Sequence, residues 1–408
     1  MAEQCGLKRI TDTKLKLRDE LTFSLVKEEP EKIYTLYDPY NDRYFQFKEY
    51  EYVIAGLMDG QTSSRVICQK FEEQFDAELP LETLEVFARK LFALGLIEGA
   101  PIPPKIDKYS GVLFKKFKLF NPDKLFDAII DYVRFLFHPL TVKIFVVVLF
   151  IAGYLLLKRW NEVAAYGMPG TNAGDWSGLG LIVLIIIAII STHEFAHGLS
   201  LKNYGGKVPE MGFMLMIFIP AFYCDVSDAW KLSKNKKLFV TFAGGFYELV
   251  VGAFAVIIWN FADPYLWLSD LAYLVMVSSV FTIGINFNPL LRLDGYYLLS
   301  DWLEMPNLRS ESIKYFMRLV SAPFKKLPPA NYTLKEKIIY PVYAVLSTLF
   351  IMFMISIIYS LVSGWLIDTF RLPGVLLSIF ILIFFLSLIL KGIIKPGTNT
   401  NKTESQKA

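Results

Sequence analysis

Residues 178–190 read Gly-Leu-Gly-Leu-Ile-Val-Leu-Ile-Ile-Ile-Ala-Ile-Ile, and two positions on comes His193-Glu194-Phe195-Ala196-His197. An uncharged apolar run of this kind forms a membrane helix or a fully buried one. In a helix, positions i and i+4 share a face, so His193 and His197 can offer two imidazoles to one metal. Glu194 then lies beside them as a candidate general base for an attacking water. A HExxH string also arises by chance. Within an apolar span, however, two histidines and a glutamate are costly without partners or a function. The chain has three histidines, and two are placed here.

Working outward, the 408 residues are 54% hydrophobic and 15% aromatic, with a mean hydropathy of +0.40. These values exclude a disordered chain and an ordinary soluble enzyme, and predict a mainly α, multi-spanning membrane protein with a soluble part. Cys5, Cys68 and Cys224 are widely spaced and suggest no disulfide framework. The N-terminus is polar, without the apolar core of a signal peptide, so the first domain is expected in the cytosol.

Residues 1–100 read as an α+β module. Segments 21–26, 33–37 and 44–47 are expected strands, with the turn Asp38-Pro39-Tyr40-Asn41-Asp42 between the last two. Helices are expected over about 48–58, 63–75 and 81–94, with Pro80 at the start of the third, where a missing N–H costs little. Residues 101–137 are read as a linker opening on Pro101-Ile102-Pro103-Pro104, then a basic amphipathic helix over 121–137 lying on the membrane surface.

Six hydrophobic spans are expected in a membrane domain, 138–395: about 140–157, 178–200, 238–261, 268–287, 338–361 and 373–393. Residues 211–223 are too short to cross and contain Pro220; they read as a re-entrant loop or hairpin. Residues 396–408 are expected to be a disordered tail. With the N-terminus inside, loops 201–237 and 288–337 carry 14 Lys/Arg, whereas the outer loops carry Lys158, Arg159 and Arg371. The positive-inside rule then places both termini in the cytosol and the histidines in the cytosolic third of their span.

Catalytic zinc usually takes three protein ligands and keeps one position open. At the end of the fourth span come Asn286-Phe287-Asn288-Pro289-Leu290-Leu291-Arg292-Leu293-Asp294-Gly295. Asn288-Pro289 would break the helix and bring Asp294 to a depth comparable with the histidines. The alternative is a plain helix stop with a solvated carboxylate. The pairing of HExxH in one span with a late Asn-Pro and Leu-Asp-Gly in another resembles the site-2 protease family of intramembrane zinc metalloproteases. The stretches Glu194–Gly198, Pro220–Trp230 and Asp294–Glu304 look like its peptide zinc metalloprotease branch, whose members serve bacterial peptide maturation or export. The resemblance covers most of residues 140–310. It implies one Zn²⁺ per chain on His193, His197 and Asp294, with Glu194 as catalytic base and Asn288, Pro289 and Gly295 in support.

Three departures from the family pattern stand out. Leu291 replaces the second proline of Asn-Pro-x-Pro. The Ala-Gly-Pro-x-x-Asn pattern appears as Ala243-Gly244-Gly245-Phe246-Tyr247-Glu248, and a glutamate inside a span must find a partner or lose its charge. The loops are also too short for an inserted PDZ domain. Cys224 and Asp225 are either further ligands near the site or a packed thiol and a loop-fixing carboxylate.

The N-terminal module resembles the small PqqD-like winged-helix domains that recognise leader peptides; a free sheet edge could take a peptide as an added strand. A purely structural module is the alternative. Its 13 Lys/Arg against 19 Asp/Glu, a net of −6, argue against nucleic acid as a partner. The expected function is hydrolysis of a peptide bond in a membrane-associated or ribosomally made peptide. Expected partners are that substrate, the lipid bilayer, and a peptide exporter or membrane-fusion component. The rival is a non-catalytic component of an export or immunity system, with zinc held in a closed four-ligand site or not used at all. A small-molecule transporter is disfavoured, since the six spans show no internal repeat.

Overall fold

The computed structural model describes residues 14–28, 31–41, 43–102, 114–166, 177–216, 219–321 and 332–394. The linker prolines Pro103 and Pro104, Asp42 of the expected turn, and the tail 396–408 lie outside these. Backbone packing divides the chain into two units. Of the described residues, one unit takes in those up to Val142 together with Glu194–Val240, and the other comprises Lys143–His193 and those from Thr241 to 394.

The first unit opens with an antiparallel sheet in the order Thr22–Lys27, Ile33–Asp38, Arg43–Lys48. Period-two alternation turns Leu36, Phe45 and Phe47 inward, where helices Glu49–Gly56, Ser64–Phe75 and Leu81–Ala93 bury them with Ile67, Leu84 and Leu91. Burying each such side chain contributes about 1.5–3 kcal/mol before chain entropy is charged against it. Asp38 closes the turn at the sheet's end. Its carboxylate is fully buried and accepts from Arg18, from Arg43 at 3.1 Å and from Asn41 at 3.2 Å. Burial pushes the carboxyl up, but the hydrogen bonds from Arg43, Asn41 and Arg18 outweigh it and hold the value below the ordinary one. A second sheet, Lys14–Lys16 with Asp59–Ser63, is not foreshadowed by the alternation pattern.

The same unit holds a third antiparallel sheet, in the order Phe114–Phe120, Met211–Met216, Ile219–Cys224. The last two strands form a hairpin over the piece expected to be re-entrant or hairpin-like; the first strand was not foreseen. The helix expected over 121–137 is shorter, Asp123–Val133, followed by a single 3₁₀ turn. It is also not basic. It carries Asp123, Asp127 and Asp131 against Lys124, with Arg134 just beyond. Asp123 and Asp127 pair with Lys202 at 2.7 and 2.8 Å, and Phe126 is fully buried among Leu201, Val208 and Val240. The acidic residues thus serve an internal ion pair.

Among the described residues, five helices are long and apolar enough to cross a membrane: Pro139–Lys158, Gly180–Asn203, Lys234–Phe261, Trp267–Asn286 and Leu334–Phe370. The sixth expected span coincides with a helix, Leu372–Ile394, whose described apolar stretch Leu372–Ile383 is shorter than a span. In the second unit Ala152, Ala253, Ala255 and Ala272 pack with Trp259, Tyr273 and Met276. Small residues there let helix backbones approach closely.

Candidate metal centre

The helix Ser177–Asn203 carries a buried stripe at every fourth position: Ile185, Ile189, His193, His197 and Leu201 are all under 9% exposed. Val183, Leu184 and Ile187 lie off the stripe and are exposed. The apolar residues therefore cover the outside, and the two imidazoles continue the inward line set by two isoleucines. His197 Nδ1 lies 2.7 Å from the Val240 carbonyl oxygen. A carbonyl only accepts, so Nδ1 carries the proton and Nε2 keeps its lone pair for a metal. His193 Nε2 lies 2.7 Å from Asp294 Oδ2, and its Nδ1 lies 3.1 Å from Glu248 Oε1. The ligand atoms of His193, His197 and Asp294 all fall within 4.8 Å of one another.

Asp294 reaches this position through a broken helix. The helix Trp267–Asn286 stops at Asn286, and the helix Asp294–Leu303 begins on Asp294 itself. Between them Asn288 Oδ1 accepts from the Leu290 N–H at 2.9 Å, and the Pro289 carbonyl accepts from the Tyr343 hydroxyl at 2.9 Å. These bonds satisfy backbone that the break frees. Phe287 is clamped by two glycines. A Cβ on Gly245 would lie 1.6 Å from the Phe287 ring, and one on Gly295 would lie 2.3 Å from the Phe287 carbonyl oxygen. Only hydrogen fits at either position, so the glycine after Asp294 sets how closely its segment folds back. Asp294 keeps a quarter of its side chain exposed, leaving the centre approachable.

Glu194 is half-buried on the same helix and outside the three-residue cluster. Cys224 and Asp225 also lie outside the cluster among the described residues. Burial, then the Glu194 and Asp225 carboxylates, push the Cys224 thiol well above its usual range. Asp225 accepts from the Ser227 N–H at 3.0 Å and donates its own N–H to the Glu210 carbonyl at 2.9 Å. It fixes a loop. Glu248 finds its ion-pair partner among the described residues in His193. Sequence reading flagged Glu248 without that partner, gave Phe287 no role of its own, and missed Tyr343 and the Val240 carbonyl. The glycine three residues before Glu248 was the available clue to a close helix contact.

Two imidazoles and one carboxylate, with an accessible side, form a donor set suited to zinc with one position open. The protonated Nδ1 of His197 makes the fit specific, because it leaves the ligating nitrogen unprotonated.

No family model matches the chain, and no solved structure matches it. The chain is similar to the "Putative peptide zinc metalloprotease protein YydH" of Bacillus subtilis (strain 168), with 28% identity over 166 residues. That alignment takes in 40% of this chain and 61% of the relative's length.

Proposed function

We propose that this chain is an intramembrane zinc metalloprotease of the site-2 type, hydrolysing a peptide bond in a membrane-associated or ribosomally made peptide during its maturation or export. The observation that carries the reading is the pair of histidines one helical turn apart, the Nδ1 of each facing an acceptor and their ligand atoms grouped with Asp294. Zinc held there by His193, His197 and Asp294 would lower the pKa of a water and polarise a peptide carbonyl. Glu194 accepts the proton that the attacking water loses, on a carboxylate oxygen, and returns it to the leaving nitrogen. Asn288, Pro289 and Gly295 hold the broken-helix segment that presents Asp294.

The substrate presents its carbonyl in extended form, because helical backbone is internally bonded. Among the described residues Ile219–Cys224 is the outer strand of its sheet, where such a peptide would add as a further strand. On this reading the hairpin is re-entrant at the cytosolic face of a bacterial cell membrane crossed by about six helices, with both termini inside. The N-terminal module is a winged-helix-like recognition domain, and one of its outer strands, Thr22–Lys27 or Arg43–Lys48, takes a leader segment as an added strand. An exporter or membrane-fusion component receives the product.

The test separates chemistry from metal binding. Glu194→Gln keeps zinc and fold but loses about 10²–10⁴-fold in cleavage rate, because an amide cannot take the proton. His197→Ala loses zinc and cleavage together. Wild-type cleavage by Glu194→Gln would remove the protease reading in favour of a non-catalytic export component.

A further inference from the structure

Glu248 is a fully buried carboxylate midway along the membrane-spanning helix Lys234–Phe261, and the proteolytic step proposed above makes no use of it. Such a group is costly in an apolar span and is retained where it has a partner. Neither of its oxygens makes a hydrogen bond of good geometry among the described residues, yet Oε1 stands 3.1 Å from His193 Nδ1. The opposite nitrogen of the same ring faces Asp294 at 2.7 Å. His193 is therefore held between two carboxylates: one is a candidate ligand, the other lies behind the ring.

The same helix touches the other two ligands' supports. Its Val240 carbonyl fixes His197 Nδ1. Its Gly245 admits the Phe287 ring and so seats the segment that ends in Asp294. Gly245 and Glu248 are three residues apart and share a face. One helix thus bears on all three ligands, at three successive points.

We propose that Glu248 is a positioning residue of the metal centre: it accepts the Nδ1 proton of His193, fixes that tautomer and ring orientation, and leaves Nε2 beside Asp294 for the cation. The proposal rests on the metal-centre reading above. A carboxylate behind a ligating imidazole also makes it a better donor, and losing such a partner typically weakens metal affinity about 10–100-fold. Glutamine keeps an accepting oxygen and retains part of the effect; leucine keeps none.

The test uses the purified full-length protein and zinc alone, with affinity measured against a chromophoric chelator and unfolding followed in zinc-free samples. Glu248→Leu is expected to bind zinc about 10–100-fold more weakly, and Glu248→Gln by a smaller factor. Zinc-free Glu248→Gln is expected to melt close to wild type, because the amide keeps an accepting oxygen for His193 Nδ1, whereas Glu248→Leu leaves that N–H buried without an acceptor and melts lower. Glu248→Met carries the same comparison if the leucine variant does not purify. Unchanged zinc affinity in Glu248→Leu, with zinc lost from His193→Ala, would overturn the role of Glu248 and leave the metal centre standing. Zinc binding weakened as much in Val256→Ala, a cavity variant of the same helix packed with Ala253 and Trp259 away from the ligands, would also overturn it, as a bulk packing effect. If wild type and His193→Ala alike bind no zinc, the metal centre itself fails.

Discussion

Replacing Gly295 with alanine puts the geometry of the third ligand under direct strain. The new Cβ would lie 2.3 Å from the Phe287 carbonyl oxygen and 2.4 Å from its carbonyl carbon. Ordinary contact begins near 3.4 Å, so the two backbone segments must separate by about 1 Å, and neither is a flexible side-chain end that can swing aside. The adjacent residue is Asp294, so the separation falls on the ligand. Displacement of this size in a preorganised site costs on the order of 10²-fold in rate. If the segment resists moving, the overpacking appears instead as about 1–3 kcal/mol of lost stability. Zinc affinity and thermal unfolding of the same detergent-purified variant distinguish the two routes. Gly284→Ala is the control, since nothing lies within 4 Å of its Cβ position and it sits inside the helix Trp267–Asn286. Alanine there is expected to be neutral or to stabilise by up to about 1 kcal/mol. Wild-type zinc affinity together with wild-type stability in Gly295→Ala would refute the clamp.

Two further outcomes follow from other parts of the chain. Asp38→Asn should cost the N-terminal module about 3–5 kcal/mol, because it leaves Arg18 and Arg43 facing a neutral amide; hydrogen exchange across residues 14–100 reads the loss. The folded-state value of Asp38 is depressed, so its contribution is fully present above the unfolded carboxyl value and disappears as pH falls through the lower folded one; protection there should fall on acidification in wild type but much less in Asp38→Asn. A topology reporter near residue 170 should read external and one within 310–330 cytosolic, since the positive-inside rule puts the Lys/Arg-rich loops 201–237 and 288–337 inside; the reverse pattern would invert the membrane model.

Legibility in the sequence followed how local each determinant is. The strands around Phe23, Leu36 and Phe45, and the helices around Ile54, Ile67 and Leu84, could be placed within a few residues because alternation and helical periodicity are local. The same holds for the spacing of His193 and His197, which a single helix dictates. Phe114–Phe120 escaped notice because its partner strand begins at Met211, and the order Phe-Lys-Lys-Phe-Lys-Leu-Phe breaks period-two alternation. Lys14–Lys16 is too short to show a period. The helix Asp123–Val133 was read as basic although its own residues are net acidic; the partner of Asp123 and Asp127, Lys202, is distant in sequence. Glu248 was visible as an anomaly, but its pairing with His193 is a tertiary fact that no window of sequence contains.

The central claim is that His193, His197 and Asp294 together hold one zinc, and metal analysis of purified protein beside an Asp294→Ala variant tests it most directly. The account predicts about one zinc per wild-type chain and loss of most of it in the variant, because a cluster within 4.8 Å loses one of its three donors. Full zinc retention by Asp294→Ala, or a wild-type protein that takes up no zinc when it is supplied, would contradict it.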